Sequence, residues 1–371
     1  MGNGRRISVR PTIARLRAYR PGDGASGPGA SNGRVRLDWN EGSRPPSPAV
    51  MARLRAFLEG GRLNRYPDPT AARLRRAIAA YARRPVSGVQ VFNGSDAALD
   101  CLVRTFVAPG DHVVISAPCY DQFRVFAEAA GAAVQAVRGK DPFEADVQPL
   151  ASSITPATRL VYLCNPNNPT GRTHSRADLR RLLAALGDGL LVVDEAYYEF
   201  YGRTTAPLID ADPRVTVVRS FSKAFGLAGL RCGYLLAAPE VVAAVNRLRN
   251  GKDVNALAQV AAIAALADIP YMRESVTEMR RNRALLAGAL RSAGWRVVVT
   301  PANFILLECA SPSAVAARLE RRGIFVRDRS DLPQLERYVR VTVGTADECR
   351  RLVAALEGVR PESDPCQAKP C

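Results

Sequence analysis

The sequence has little histidine and no closely spaced pair of cysteines. Its 371 residues include two histidines and eight cysteines, and no C-x-x-C motif occurs. Zinc sites and disulfide frameworks depend on such spacings, so we expect neither of them, and no bound metal. Cys101, Cys164, Cys232 and Cys309 lie within apolar stretches, where a free thiol behaves as a small hydrophobic group.

Long apolar runs are also missing from the chain. No run approaches the roughly 20 residues that a membrane-spanning helix needs. The first residues, "MGNGRRISVR", contain no apolar core of a secretory signal. We therefore expect a cytoplasmic protein without membrane association.

Lysine is scarce although the chain is strongly basic. The formal net charge is +17, but only four of the 52 basic residues are lysine: Lys140, Lys223, Lys252 and Lys369. The arginines are spread from one end of the chain to the other. This distribution is typical of a solvated surface at least as much as of a phosphate-binding face, so we expect no specific nucleic-acid binding.

The order of apolar and polar segments predicts an α/β fold in two domains. Residues 1–33 are rich in Gly, Arg and Ser and predict a flexible arm, with a short helix near residues 11–18. From residue 34 to about 250, short β-branched runs alternate with helices that end at glycine. This pattern predicts a mostly parallel central sheet covered by helices on both faces, in a large domain. The predicted strands are 89–92, 112–116, 132–137, 159–164, 190–197 and 215–221.

The remainder of the chain has a different pattern. Long helical segments are followed by "FILLE", "IFVRD" and "YVRVTV" strands with helices between and after them. We expect a smaller α+β C-terminal domain over residues 251–360, and a mobile tail at 361–371.

Chemically capable residues follow five of the predicted strands. They are "NGSD", "APCY", "NPNNPTG", "DEAYYEF" and "SFSK". Ligands bind beyond the carboxyl ends of the strands in an open α/β sheet, so these segments predict a ligand site. Loop propensity alone explains any one of them, but not five in a row with complementary chemistry.

Lys223 and Asp194 suggest a particular cofactor. Lys223 is the only lysine at a strand end, and a lysine amine forms a Schiff base with a carbonyl. Asp194 ends an apolar strand, where a carboxylate could keep the pyridine nitrogen of pyridoxal phosphate (PLP) protonated. The alternative for Asp194 is a turn or helix-capping residue.

Other strand-end residues could complete a PLP site. "NGSDAALD" supplies a glycine, a serine and the start of a helix, which suits a phosphate. Arg231, Ser220 and Ser222 could add charge and hydroxyl groups to that cradle. Tyr197 and Asn168 could hydrogen-bond the ring hydroxyl, and Tyr120 is available to stack on the ring.

Several motifs together resemble one family. "NRYPDP", "NPNNPTG", "DEAYYEF", "SFSKAFGLAGLRCGY" and "VRVTVGT" occur in order between about residues 36 and 358. This set is similar to the class I/II, fold-type I PLP-dependent aminotransferases, and within them most similar to the histidinol-phosphate aminotransferase group. The resemblance implies transfer of an amino group between an amino acid or amino-alcohol phosphate and a 2-oxo acid such as 2-oxoglutarate.

The resemblance also implies roles for individual residues. Lys223 would hold the cofactor and then move the proton, Asp194 would pair with the pyridinium nitrogen, and Tyr197 and Asn168 would contact the phenolic oxygen. The backbone and side chains of Ser95 and Asp96 would hold the phosphate, together with Ser222 and Arg231.

Substrate and subunit contacts are implied in the same way. Arg340 would bind the anionic group of the substrate, and the "DWNEG" segment, with Asn40 and Glu41, would line the substrate mouth. Tyr66 would reach the phosphate of a neighbouring subunit, which implies a homodimer with shared active sites.

The sequence departs from the family pattern near the substrate. Gly42 and Ser43 stand where Asn-Pro is usual, and Asp121 follows the ring-stacking tyrosine. Asp121 and Asp253 could favour a cationic substrate, or they could be surface or capping residues.

The sequence leaves the reaction and the substrate open. A decarboxylase or an oxidase of the same fold would use the same cofactor residues. A PLP-fold regulator that binds DNA is a third alternative, but residues 1–33 are too short and glycine-rich for a helix-turn-helix domain.

Overall fold

The computed structural model describes residues 8–16, 18 and 33–359. Its α-helices are α1 (Pro11–Ala14), α2 (Pro48–Glu59), α3 (Ala72–Ala82), α4 (Ser95–Phe106), α5 (Gln122–Ala130), α6 (Gln148–Ser153), α7 (Arg176–Ala185), α8 (Tyr198–Tyr201), α9 (Pro239–Asn246), α10 (Ala256–Ala267), α11 (Ile269–Ser292), α12 (Pro312–Glu320) and α13 (Ala346–Leu356). Its strands are β1 (Val35–Arg36), β2 (Val89–Phe92), β3 (His112–Ala117), β4 (Ala133–Arg138), β5 (Thr158–Cys164), β6 (Leu190–Asp194), β7 (Val215–Ser220), β8 (Gly233–Leu236), β9 (Arg296–Val299), β10 (Phe304–Glu308), β11 (Ile324–Phe325), β12 (Arg327–Asp328) and β13 (Tyr338–Thr342).

A seven-stranded sheet forms the centre of the fold, in the order β2-β8-β7-β6-β5-β3-β4. All six strands predicted from the sequence belong to it, and β3, β4, β5, β6 and β7 pair in parallel. The sequence did not predict β8, which runs antiparallel to both β7 and β2. The mostly parallel α/β sheet is therefore confirmed, with one antiparallel strand in it.

Helices cover both faces of this sheet because its strands are apolar on both sides. Leu160, Tyr162 and Cys164 of β5 pack towards α4, α5 and α9 in one cluster. Val161 and Leu163, the alternate residues, join the other cluster with α3 and α10. This alternation follows from the two-residue period of a strand.

A four-stranded antiparallel sheet follows towards the C-terminus, in the order β12-β13-β10-β9. Of its strands, β9 was not expected from the sequence, because "RVVV" follows directly on a long helix. The short strand β1 pairs in parallel with β11 and so joins the segment before α2 to this region. The proposed division at residues 250 and 251 stays a prediction.

Two sequence expectations concern the chain ends. The expected helix near residues 11–18 is present as α1, although it is shorter. Residues 1–7, 17 and 19–32 of the expected arm, and all of the expected tail at 361–371, lie outside the described residues. Within the described ranges, every helix is too short or too polar to cross a membrane.

Candidate active site

The strand-end segments meet at one edge of the central sheet. Because β5, β6 and β7 are parallel neighbours, their carboxyl ends lie side by side. The turn between β2 and α4 reaches the same edge beside β8. The residues that precede α2 lie over this edge, since Asn40 Nδ2 donates at 2.9 Å to the hydroxyl of Tyr197, which follows β6.

The start of α4 gathers most of the predicted phosphate residues. Asp96 Oδ1 accepts a hydrogen bond from the hydroxyl of Tyr120 at 3.0 Å, and Asp96 Oδ2 accepts one from Arg231 at 3.2 Å. Arg231 also lies 3.5 Å from Ser222 Oγ, and the Ser222 amide donates to Ser220 Oγ at 3.1 Å. The Asp96 carboxylate therefore orients Arg231 and Tyr120, and its negative charge makes it unsuited to hold a phosphate directly.

Two glycines allow close packing in the phosphate cradle, which is formed by the start of α4, Arg231 and Ser222. Gly94 precedes α4 with a φ of +85°, and a Cβ there would lie 2.7 Å from Arg231 Nη2. A Cβ at Gly233 would lie 2.4 Å from the backbone nitrogen of Ser95. Free amides at a helix start beside an arginine form an anion site, so the geometry fits a phosphate group.

Asp194 lies at the bottom of the site with only 5 % of its surface exposed. Oδ1 accepts a hydrogen bond from the Ala196 amide at 2.9 Å, and Oδ2 accepts one from the hydroxyl of Tyr162 at 3.2 Å. Burial raises the pKa of Asp194 to about 6. Among the described residues no arginine, lysine or histidine forms an ion pair with it, so a buried carboxylate is available for a cationic ring nitrogen.

Lys223 follows β7, the strand beside β6, and its amine donates to the backbone oxygen of Trp39 at 2.9 Å. Burial, followed by the positive charge of Arg340, lowers the pKa of Lys223 to about 8. A sizeable fraction of neutral amine is thus present near neutral pH, as a nucleophilic lysine requires.

Tyr197 and Asn40 form one hydrogen-bonded pair in the site, and Arg340 and Asn168 form another. Asn40 Nδ2 donates to the hydroxyl of Tyr197 at 2.9 Å. Arg340 Nη1 donates to Asn168 Oδ1 at 2.6 Å, and Nη2 donates to the backbone oxygen of Asp38. Burial raises the pKa of Tyr197 to about 12, so its hydroxyl remains a hydrogen-bond donor.

Two further arginines adjoin Arg340, and sequence reasoning missed them. Arg327 stands directly opposite Arg340 in the β12–β13 pair. Burial, and then the charges of Arg329 and Arg327, lower the pKa of Arg340 to about 10. The Nε atoms of Arg340 and Arg329 are buried without a hydrogen-bond partner among the described residues. The signal that could have revealed the pair is "VRDRS", which overlaps the end of the predicted strand "IFVRD".

The substrate-mouth segment packs directly on the lysine loop. A Cβ at Gly42 would lie 2.8 Å from the backbone oxygen of Lys223, so glycine permits this close approach. Asn303 Nδ2 holds the segment by donating to the backbone oxygens of Asn40 and Glu41, at 3.0 and 3.1 Å. The carboxylate of Glu41 is close enough to act against the lowering of the Lys223 pKa.

Tyr66 is the one predicted site residue that lies apart from the others. It is 80 % exposed, and its ring centroid is 4.4 Å from Lys252 Nζ.

The carboxylates proposed for a cationic substrate have partners within the chain. Asp121 forms a two-point ion pair with Arg124 at 2.8 and 2.9 Å, and Asp253 accepts the Asn93 amide at 3.3 Å. Neither contact requires a cationic substrate.

Comparisons with known proteins identify the same family as the motifs. The family model described as aminotransferase class I and II matches residues 32–356. A dihydroxyacetone phosphate transaminase of Campylobacter jejuni is 36% identical over 320 residues, covering 85% of this chain and 87% of the relative. A histidinol-phosphate aminotransferase of Symbiobacterium thermophilum is 36% identical over 357 residues, covering 94% of this chain and 98% of the relative.

A solved structure agrees with the fold and the cofactor. The histidinol-phosphate aminotransferase of Sinorhizobium meliloti, in complex with pyridoxal-5'-phosphate, superposes with a TM-score of 0.85 at 30% identity. The match covers 95% of this chain and 97% of that one. The glycine-lined phosphate cradle, the buried carboxylate and the low-pKa lysine described above fit the same cofactor. The chain belongs to the class I and II aminotransferases and is a fold-type I, PLP-dependent aminotransferase.

Proposed function

We propose that this aminotransferase takes its amino group from a phosphorylated amino compound similar to histidinol phosphate, and passes it to a 2-oxo acid such as 2-oxoglutarate. The observation that carries the proposal is the group of three arginines, Arg327, Arg329 and Arg340, at the substrate side of the site. One arginine is sufficient for a carboxylate, whereas a phosphate monoester has a larger charge and more acceptor oxygens. Two of the similar proteins are also named for phosphorylated substrates.

The residues around the cofactor can be assigned from their contacts. The first amides of α4, with Arg231, Ser222 and Ser220, would hold the phosphate. Tyr120 would stack on the ring because its hydroxyl is held by Asp96. When bound, PLP supplies an aldehyde that condenses with amines and a ring that withdraws electrons from the substrate carbon.

Lys223 would act as the general base and acid of the reaction. Its neutral amine would take the proton from the substrate Cα and deliver it to C4′ of the cofactor, a role that typically gives ~10²–10⁴-fold in rate. The lowered pKa near 8 matches this role. Asp194 would keep the ring nitrogen protonated, and Tyr197, oriented by Asn40, would donate to the ring oxygen.

Arg340 would bind the anionic end of the substrate. Its contacts to Asn168 and to the backbone of Asp38 fix the guanidinium, which leaves Nε for a ligand. Arg327 and Arg329 would add charge on the same side. Asn40 and Glu41 would line the mouth, with their backbone held by Asn303.

A titration with different amino donors tests the proposal. Histidinol phosphate and its unphosphorylated form, histidinol, are a matched pair, and glutamate, arginine and aromatic amino acids complete the panel. We expect histidinol phosphate to convert the cofactor spectrum at concentrations about 100-fold lower than histidinol does. Conversion of the cofactor spectrum at equal concentrations of both compounds would contradict a binding site for the substrate phosphate. Product analysis with and without 2-oxoglutarate separates transamination from decarboxylation or oxidation.

A homodimer belongs to the same proposal. Met51, Leu58, Leu63 and Tyr66 are exposed on and just after α2. Such an apolar patch is typical of a subunit interface, and it would carry Tyr66 to the phosphate of the partner.

Cytoplasmic location is also part of the proposal. It is supported by six cysteines in the described chain that are free thiols, as in a reducing compartment.

A further inference from the structure

Tyr162 is a buried phenol that none of the cofactor contacts assigned above uses. It lies on β5 two residues before Cys164, and Cys164 stands directly opposite Asp194 in the β5–β6 pair. Residues two apart on a strand face the same side of a sheet, and so do directly paired residues. Tyr162, Cys164 and Asp194 therefore share one face below the cofactor site.

The hydroxyl of Tyr162 has two neighbours. It lies 3.2 Å from Asp194 Oδ2 and 3.0 Å from Cys164 Sγ. A carboxylate is a much stronger acceptor than a thiol sulfur. The phenol therefore donates its proton to Asp194, and the thiol of Cys164 can donate in turn to the phenolic oxygen.

Packing prevents this phenol from turning away. The side chain of Tyr162 is 0 % exposed, and its ring stacks on Phe123 with the centroids 4.0 Å apart and the planes 8° apart. Burial raises the pKa of Tyr162 well above its ordinary value, so the hydroxyl keeps its proton. The donor is fixed in place before any cofactor binds.

Asp194 needs such a donor because it is buried. Its Oδ1 receives the Ala196 amide, and its Oδ2 receives the Tyr162 hydroxyl. Burial, and next the negative charge of Asp96, favour the neutral acid, and the two hydrogen bonds oppose this. The titratable groups that interact with Asp194 come from four elements: Asp96 on α4, Cys119 and Tyr120 after β3, Tyr162 and Cys164 on β5, and Glu195 and Tyr197 after β6.

We propose that Tyr162 is a positioning residue for the cofactor: its hydroxyl fixes Asp194 Oδ2 and keeps this carboxylate ionised beneath the ring nitrogen. This proposal rests on the assignment of Asp194 to that nitrogen. It adds to the site a residue that lies two positions before the end of β5. Tyr162 acts through Asp194 and does not touch the cofactor itself.

Replacing Tyr162 by phenylalanine removes one oxygen and keeps the stacked ring. PLP affinity of the apoprotein, measured by equilibrium dialysis across a pH series, reports the effect without any turnover. We expect Tyr162→Phe to bind PLP about tenfold more weakly near pH 7.5, as loss of a hydrogen bond to a charged group predicts. The pH below which affinity falls should also be higher than in the wild type, because Asp194 becomes protonated more readily.

Tyr81→Phe is a matched control. The hydroxyl of Tyr81 lies 3.2 Å from Oε1 of Glu199, another buried carboxylate, but outside the cofactor site. It should lose stability to a similar extent and keep the PLP affinity and pH profile of the wild type. If both variants show the same affinity and pH profile as the wild type, the proposal is wrong.

A double-mutant comparison separates positioning from packing. In an Asp194→Asn background, Tyr162→Phe should change PLP affinity little, because the charge on which it acts is gone. An equally large loss in that background would show that the phenol acts only by packing, and would overturn the proposal.

If Tyr162→Phe does not fold, 3-fluorotyrosine at position 162 gives a stronger donor with the same shape. It should lower the pH at which affinity falls, and an unchanged profile would count against the proposal. A wild-type protein that binds no PLP would instead reject the cofactor assignment.

Discussion

At the residue scale, the site depends on charges held away from water. Burial raises the pKa of Asp194 to about 6 and lowers that of Lys223 to about 8. The carboxylate nevertheless stays ionised at neutral pH, and the lowered pKa of Lys223 leaves a fraction of the amine neutral, so both groups have the form that a PLP enzyme needs. Such shifts identify functional residues because they reduce the stability of the empty protein.

Asp194→Asn should therefore stabilise the apoprotein while weakening PLP binding. The pKa of Asp194 is higher in the folded than in the unfolded protein, so ionisation of Asp194 lowers the free energy of unfolding. This loss of stability grows as the pH rises from about 4 to about 6, and it is complete at higher pH. At pH 7.5 we expect the free energy of unfolding of the apo variant to be about 1–3 kcal/mol higher. Urea unfolding at pH 7.5 and pH 4 measures this, and an apo variant less stable than the wild type at pH 7.5 would contradict it.

Arg327→Gln should reduce the preference for a phosphorylated donor. The residue lies opposite Arg340 on the same side of the sheet, and a charge-assisted contact to phosphate typically contributes about 1.5–3 kcal/mol. We expect kcat/KM for histidinol phosphate to fall about 10–100-fold, with a much smaller change for histidinol. Arg124→Gln is the control, since Arg124 pairs with Asp121 at the start of α5. A loss of the same size for both donors would contradict a role in phosphate binding.

At the element scale, the strand ends were predictable and some of the elements around them were not. Asp194 ends one apolar β-branched run and Lys223 follows another, and the two-sided burial of both runs is visible in the sequence. Strand β8 was missed because it has only four residues and begins at a glycine within the "GLRCGY" motif. Helices α2 and α3 were also not predicted, since arginines interrupt their apolar pattern. Arg327 and Arg329 were missed because only the pairing of β12 with β13 brings them to Arg340.

Gly233→Ala should disturb the phosphate cradle by moving β8 away from α4. The added Cβ would lie 2.4 Å from the Ser95 nitrogen, so the first amides of α4 must shift. We expect PLP to bind at least about tenfold more weakly, because the anion site depends on these amides. Gly229→Ala in the same motif is the matched control, since a Cβ there meets nothing within 4 Å. Equal PLP affinity in the two variants, by equilibrium dialysis, would contradict this role for Gly233.

At the scale of the whole molecule, one hydrophobic cluster includes side chains from both sheets, from Val35 to Leu356. The C-terminal sheet, which carries Arg340, is therefore packed as one core with the strands that carry Asp194 and Lys223. Tyr66 is the exception to this compact arrangement, because it is exposed in the single chain. Its proposed role comes from the family resemblance, and nothing in its local sequence pattern indicates one.

Mixing two defective variants tests whether the active sites are shared between subunits. Lys223→Ala removes the reacting amine, and Tyr66→Ala removes the group that we expect to reach the partner. A mixed dimer would contain one site with both residues intact. Mixing equal amounts under subunit exchange at limiting PLP should restore about a quarter of wild-type activity. Sedimentation measures whether the protein is a dimer, and activity no higher than that of the separate variants would contradict a shared site.

The most direct test of the account is to locate the bond between the protein and PLP. The protein loaded with PLP is reduced with borohydride, digested, and mapped by mass spectrometry. We predict one pyridoxyl group per chain, on the peptide that contains Lys223, and none on Lys140, Lys252 or Lys369. Modification of another lysine with Lys223 left free, or no modification at saturating PLP, would contradict the account.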